Sequence, residues 1–283
     1  MKPKIYFIAD MFAEDYIGGA ELTTKAIMQA CKNYEIEKIH SHKLTLEILE
    51  NNKQNHFIVC NFSNLDDKNK IYMCKNNHYS IIEYDYKFCK YRSTVKHKQA
   101  EGIECNCVEQ MHGKINSAFY GYASKIWFMS QEQKNIFIDN VVTIKKENCS
   151  VLSSVFSDGD LRFIQSLKDN EKNDKYLILD SNSWIKNTTG CIEYAISNNL
   201  GYELIKNLPY HELLIKMSTS RGLIFMPTAP DTCPRFVIEG KLLGLKLHLN
   251  DFVQHKDESW FLNPESTYEY LIKRVEYFWS FYE

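Results

Sequence analysis

No apolar run in this sequence approaches the roughly 18–20 residues that span a bilayer, so a transmembrane helix is not expected. Glycine and proline are scarce, at 11 and 6 residues in 283, which excludes a collagen-like or low-complexity chain. Charge of one sign is not in excess. The net charge of −2 sets up no global field for nucleic acid or an anionic membrane. The opening MKPKIYFIAD has a basic start and one short apolar run but no small-residue cleavage site, so it reads as a first strand and not a signal peptide. A Cys-x-x-Cys pair is also lacking. Nine cysteines without a secretory signal imply a reducing compartment and mostly free thiols, with the cytoplasm as the expected location.

What is present is alternation. KIYFIA (4–9), IEKIH, HFIVCNF (56–62), YSIIEYDY (79–86) and KIWFMS (125–130) read as strands separated by helical stretches. A second set follows NCSVLSSVFSDGD (148–160): YLILD, NTTGCIEYAISNN, YELIK, PYHELLIKMSTS, GLIFMP, PRFVIEGKLLG and LKLHLN, strand and helix in turn. Short apolar β-rich runs between helices predict parallel βαβ units. The expected architecture is α/β, with two doubly wound, Rossmann-like parallel-sheet domains facing a cleft. The N-terminal domain is assigned to 1–153, the C-terminal one to 154–265, and 266–283 to a single aromatic helix at the domain junction. The polar, Cys/His/Lys-rich stretch 87–112 breaks the rhythm and is expected to be a loop insertion.

Open parallel sheets bind ligands at the carboxyl ends of their strands, so the loops there carry the candidate residues. Gly18-Gly19 opens a helix after the first strand, where backbone N–H groups can approach an anion or a sugar. Lys186, in DSNSWIKNTTG, stands between a strand and a helix and suits a phosphate; a solvated surface lysine is the alternative. In DTCPRFVIEGKLLG, Asp231 lies in the loop after GLIFMP and suits sugar hydroxyls. Pro234 suits the first turn of a helix, and Arg235 there suits a phosphate. Glu239, further along, suits a ribose diol. The plain alternatives are a loop acid, a solvated Arg and a surface Glu.

These segments resemble the C-terminal domain of GT-B glycosyltransferases, particularly the retaining glycosyltransferase family 4. SWIKNTTG stands at the family's lysine-glycine turn, NLPYHELLIKMSTSRGLIFMP is similar throughout, and the Asp231-to-Glu239 spacing matches its acid pair. EGKLLG resembles the family's small-residue helix, and Gly18-Gly19-Ala20-Glu21 resembles its first-domain turn. The resemblance covers most of 176–250 and about the first 30 residues. It implies a nucleoside-diphosphate-sugar donor, retention of configuration and no required cofactor or metal. Glu239 would hold the ribose, Asp231, the catalytic candidate, would contact the donor sugar or assist at the reacting carbon, and Lys186 would bind the diphosphate. Gly18 and Gly19 would approach from the opposite domain. Two positions depart: the first acid is Asp instead of Glu, and Ser181 and Asn182 stand where an arginine is usual. Arg235 is the candidate to replace that charge. A glycan, lipid-linked glycan or other small molecule is the expected acceptor. Alternatives are a nucleotide-sugar epimerase of the same fold and a non-catalytic nucleotide or sugar-binding module.

Within the insertion, Cys89, His97, Cys105 and Cys107 offer soft or borderline ligands for a structural zinc; the alternative is free thiols beside a solvated histidine. Its basic residues Lys87, Lys90, Arg92, Lys96 and Lys98 could meet an acidic acceptor or simply be solvated, and Asp85 and His97 are acceptor-side candidates. The same basic loop keeps glycosylation of modified DNA bases as a subsidiary reading, which the acidic net charge disfavours.

Overall fold

A computed structural model describes residues 2–283. The chain divides into two compact units, residues 1–155 with 277–283 and residues 156–276. The first holds a parallel sheet of β1 (Lys4–Ala9), β2 (Glu35–His40), β3 (His56–Val59), β4 (His78–Glu83), β5 (Lys125–Phe128) and β6 (Cys149–Val151), in spatial order β2-β1-β3-β4-β5-β6. Its helices are α1 (Gly19–Gln29), α2 (Leu46–Asn51), α3 (Asp67–Asn76), α4 (Thr94–Glu101), α5 (Met111–Tyr122) and α6 (Gln131–Asn140). The second unit begins with α7 (Asp158–Ser166). Its sheet, β7 (Tyr176–Leu179), β8 (Tyr202–Ile205), β9 (Gly222–Phe225) and β10 (Lys246–Leu249), runs in order β10-β9-β7-β8 and is also parallel. Around it lie α8 (Thr188–Ser197), α9 (Tyr210–Ser218), α10 (Arg235–Leu242) and α11 (Pro264–Leu271). The short α12 (Arg274–Trp279) follows.

The pattern of apolar residues accounts for this order. β1 is buried from Ile5 through Ala9, as a central strand covered on both faces must be. β2, with Glu35, Glu37 and Lys38 exposed, lies at the edge. In each unit the strand order reverses beside the first strand, between β1 and β3 and between β7 and β9. A doubly wound sheet opens a crevice at such a switch point.

Three expectations need correction. The stretch 87–112 is not all loop: it contains α4, capped by the Ser93 hydroxyl, which accepts from Lys96 N, and ended by Gly102 at φ 72°. It is also not solvated as a whole, since Lys87 and His97 are buried. The C-terminal stretch is two helices and not one. Thr267 and Leu271 are buried in the second unit, whereas Phe278 and Trp279 are buried in the first, and the chain breaks between them at Ile272–Lys273. Finally, CSV in NCSVLSSVFSDGD, not among the expected strands, is a sixth strand of the first sheet. Among the described residues no helix is long and apolar enough to cross a membrane.

One buried histidine makes acid stability predictable. His255 is stacked on Trp260 (5.4 Å between centroids, 9° between planes), and neither ring nitrogen has a hydrogen-bond partner. Burial pushes its pKa down to about 3, with Lys241 adding to the effect. An unfolded-chain histidine titrates near 6.5. Between those values the unfolded chain takes up a proton that the native state refuses, so stability is lost as pH falls from 6.5 toward 3. His255→Phe should therefore remove about 2 kcal/mol of the stability lost between pH 7 and pH 5. Urea unfolding at the two pH values checks this. An unchanged pH dependence in the variant would mean that His255 is protonated in the native state.

Candidate active site

In the second unit the switch-point loops are sewn together. After β7 the chain makes a short turn, Trp184–Lys186, and enters α8 through Asn187 at φ 52°, whose side chain accepts from Gly190 N at 3.2 Å. That loop is tied to the loop after β9: Thr228 N donates to Ile185 O at 3.0 Å, and Asn187 Nδ2 donates to Met226 O at 2.8 Å. The two loops thus present Lys186 and Asp231 to each other. Lys186 Nζ lies 2.7 Å from Asp231 Oδ2, and the Lys186 side chain is 29% exposed. Asp231 is held by backbone: its N–H donates to Phe252 O at 2.8 Å, and its C=O accepts from Gln254 N. The lysine is therefore a partly wet cation with an acid partner, not a freely solvated surface residue.

Deeper in the same unit lies a second constellation. Pro234 takes the position before α10, so Arg235 begins the helix and Glu239 falls one turn on, with Arg235 Nε 3.4 Å from Glu239 Oε1. Tyr210, at the start of α9, donates its hydroxyl to Glu239 Oε1 at 2.8 Å and accepts from Arg235 Nη2 at 2.9 Å. The Arg235 guanidinium lies 3.7 Å from the centroid of the Phe156 ring and 3.9 Å from Asp160. Both members of the pair are buried, so the solvated-Arg and surface-Glu alternatives fail. Burial pushes the Glu239 carboxyl up, against the opposing pull of Arg235 and the Tyr210 hydrogen bond. The structure thus brings together Lys186 with Asp231, and Arg235 with Glu239. Sequence reasoning missed Tyr210 and Asp160. Tyr210 stands in PYHELL at a helix start, but nothing in its spacing marks it as the third member.

Gly18 and Gly19 lie in the first unit, at its own switch point. Gly18 precedes α1 and Gly19 begins it. A Cβ on Gly18 would stand 2.4 Å from Glu21 Oε2 and 2.7 Å from the Tyr16 ring, so a larger residue there would displace those side chains. Burial pushes the Glu21 carboxyl up, and Asn61 Nδ2 donates to it at 3.5 Å. Asp10, at the end of β1, accepts from Ser63 N at 2.8 Å and Asn64 N at 3.0 Å, tying the loop after β1 to that after β3.

Asp85 serves a buried network in the first unit. Its carboxylate meets Lys87 Nζ at 3.0 Å and Arg92 Nε at 2.7 Å, while Lys87 also meets Glu83 Oε1 at 2.8 Å. Those contacts turn Asp85 toward protein partners. His97 is also turned inward, toward Cys89 and Cys107, which removes it as an acceptor-facing group and excludes the solvated-histidine alternative.

No protein-family model matches the chain, and no curated protein matches its sequence. Solved structures do resemble it. The crystal structure of Anabaena HepE in complex with UDP and glucose shares 10% identity, with 98% of this chain and 95% of that one covered at a TM-score of 0.56. The catalytic domain of starch synthase IV from Arabidopsis thaliana, bound to ADP and acarbose, shares 8% identity, with 98% and 92% covered at 0.58. What is shared is the fold. Two Rossmann-like parallel-sheet domains of the GT-B type are the class to which this architecture belongs.

Proposed function

We propose that this chain is a glycosyltransferase that moves a sugar from a nucleoside-diphosphate sugar to a glycan, lipid-linked glycan or other small-molecule acceptor. The observation that carries the reading is the meeting of Lys186 with Asp231 at the β7/β9 switch point, in the same unit that buries Glu239. Solved proteins of this fold hold UDP with glucose, or ADP with acarbose. In this reading the diphosphate replaces Asp231 as the partner of Lys186. Asp231, released, turns to the donor sugar. As the bond to the anomeric carbon breaks, negative charge grows on the leaving phosphate, and Lys186 stabilises it from a preset position. Retention of configuration and independence of metal belong to the proposal through the family-4 resemblance. Gly18 and Gly19 are the first unit's candidates for approaching a phosphate or sugar.

A second reading, a nucleotide-sugar-binding module without transfer, is favoured by the commitment of Arg235 to Glu239, Tyr210 and Phe156. A ribose reaching Glu239 would share its carboxylate with the Tyr210 hydroxyl, which already donates to Oε1. The two readings part on turnover: transfer releases free nucleoside diphosphate when an acceptor is supplied, and a binding module does not.

The test is calorimetric titration of the full chain with UDP, ADP, GDP and UDP-glucose. One nucleotide series should bind, and Lys186→Ala should weaken it about tenfold to a hundredfold, the loss of one charge-assisted hydrogen bond. Lys186 is partly exposed, so this variant should fold. Absence of binding to every nucleotide and nucleotide sugar would refute the donor site.

A further inference from the structure

We propose that the first unit carries a closed structural zinc site formed by Cys89 Sγ, Cys105 Sγ, Cys107 Sγ and His97 Nδ1. This inference is independent of the nucleotide site. One potential ligand atom from each of the four residues falls in a group whose members all lie within 4.8 Å of one another. The resolved separations are 4.0 Å for Cys89 Sγ to Cys107 Sγ, 3.3 Å for Cys107 Sγ to His97 Nδ1, and 3.8 Å for Cys89 Sγ to His97 Nδ1. Tetrahedral zinc with Zn–S near 2.3 Å and Zn–N near 2.0–2.1 Å requires edges of about 3.8 Å between sulfurs and about 3.6 Å from sulfur to nitrogen. The two sulfur–nitrogen edges bracket their value, and the sulfur–sulfur edge lies slightly above its own. They are far too long for a disulfide, whose sulfurs stand about 2.05 Å apart.

The surroundings suit thiolates. Lys90 N–H donates to Cys107 Sγ at 3.4 Å, and a backbone N–H of Tyr91 points to Cys89. Such donors are the outer shell that metal-bound sulfur takes. Cys89 Sγ to Ser93 O at 3.4 Å and Cys107 Sγ to Cys89 Sγ are contacts that a thiol donates and a bound metal would replace. Three protein sulfurs and one imidazole fill a tetrahedron with no open position, so the site is structural and not catalytic.

A physical need for the staple is visible in α4. Within that helix His97 is the only buried residue. An eight-residue helix with no apolar face has little to hold it to the body. Zinc would fasten α4 through His97 to the segment after β4 through Cys89, and to the turn before α5 through Cys105 and Cys107. That turn is itself in tight contact with α5: a Cβ on Gly113 would lie 1.8 Å from Cys107 O. Lys87, two residues before Cys89, would be fixed in place beside Glu83 and Asp85.

The experiment is metal analysis of the full chain, expressed with added zinc, purified under reducing conditions and passed through a chelator wash. About one zinc per chain is expected, falling at least tenfold in Cys105→Ser and in His97→Ala and staying unchanged in Cys31→Ser. Should the ligand variants fail to fold, the wild-type zinc content and its cobalt derivative still decide. Cobalt loading should give the visible bands of tetrahedral thiolate-bound cobalt. Folded protein with less than a tenth of a zinc per chain would overturn the site. So would iron with sulfide, or a Cys89–Cys107 disulfide in peptide mapping.

Discussion

Arg235→Ala is expected to cost the second unit about 3–5 kcal/mol, the loss seen when one partner of a buried ion pair is removed. Arg235 is only 4% exposed, and Glu239 2%. Without the guanidinium, the Glu239 carboxylate keeps one hydrogen bond from Tyr210 and loses the cation that opposes its burial. The Phe156 ring also loses the guanidinium stacked on its face, and a desolvated cation–π contact contributes about 2 kcal/mol or more. Because burial already pushes the Glu239 pKa up, the variant should take up a proton there and recover part of its stability as pH is lowered. Arg235→Met with Glu239→Gln should lose less than Arg235→Ala alone, since no uncompensated charge remains. Hydrogen exchange read peptide by peptide measures the second unit separately from the first. A loss below about 1 kcal/mol for Arg235→Ala would mean that the pair is solvated, contrary to its burial.

The matching cost in the first unit falls on Lys87. Lys87→Met is expected to destabilise that unit by about 3–5 kcal/mol on the same physical ground. The Lys87 ammonium reaches both Glu83 and Asp85, and Tyr120 donates its hydroxyl to Glu83. Burial pushes Glu83 up to about 7 even with Lys87 in place. Burial works against Asp85 too, but Lys87 and Arg92 hold its carboxyl below the usual range. For Glu83 the native state holds the proton more tightly than the unfolded chain, so its contribution to stability grows as pH falls from 7 toward 4.5. Lys87→Met should widen that window upward, and Glu83→Gln in the same background should close it. Chemical unfolding at pH 7 and pH 5 reads both. Equal stability of Lys87→Met and wild type at pH 7 would sink the expectation.

The strands were legible because a parallel strand buried on both faces is a short uninterrupted apolar run. KIYFIA, YLILD and GLIFMP contain β1, β7 and β9 to within a residue or two at their ends. The acid spacing in DTCPRFVIEGKLLG was legible too, because a strand, a loop and a helix start punctuate it plainly. Burial was not. Glu239 and Arg235 are as polar as any surface pair, and only the folded neighbours Phe156, Asp160 and Tyr210, from segments far apart in sequence, enclose them. β6 escaped notice because three residues, CSV, are too few to show a period. In α4 the polar sequence TVKHKQAE gives no apolar stripe, and its helix depends on a serine cap, a left-handed glycine and one inward histidine.

The last residues also set an order of assembly. Trp279 donates to Ile27 O at 3.0 Å, the Tyr282 hydroxyl lies 2.5 Å from Ser80 Oγ, and Phe278 packs against Trp127. These partners belong to α1, β4 and β5, all of which precede the second unit in sequence. On the ribosome the first unit must therefore wait, with Phe7 and Trp127 lacking their aromatic cover, until the whole second unit has been translated. The second unit is continuous in sequence and can close before the first, which needs residues from both sides of it.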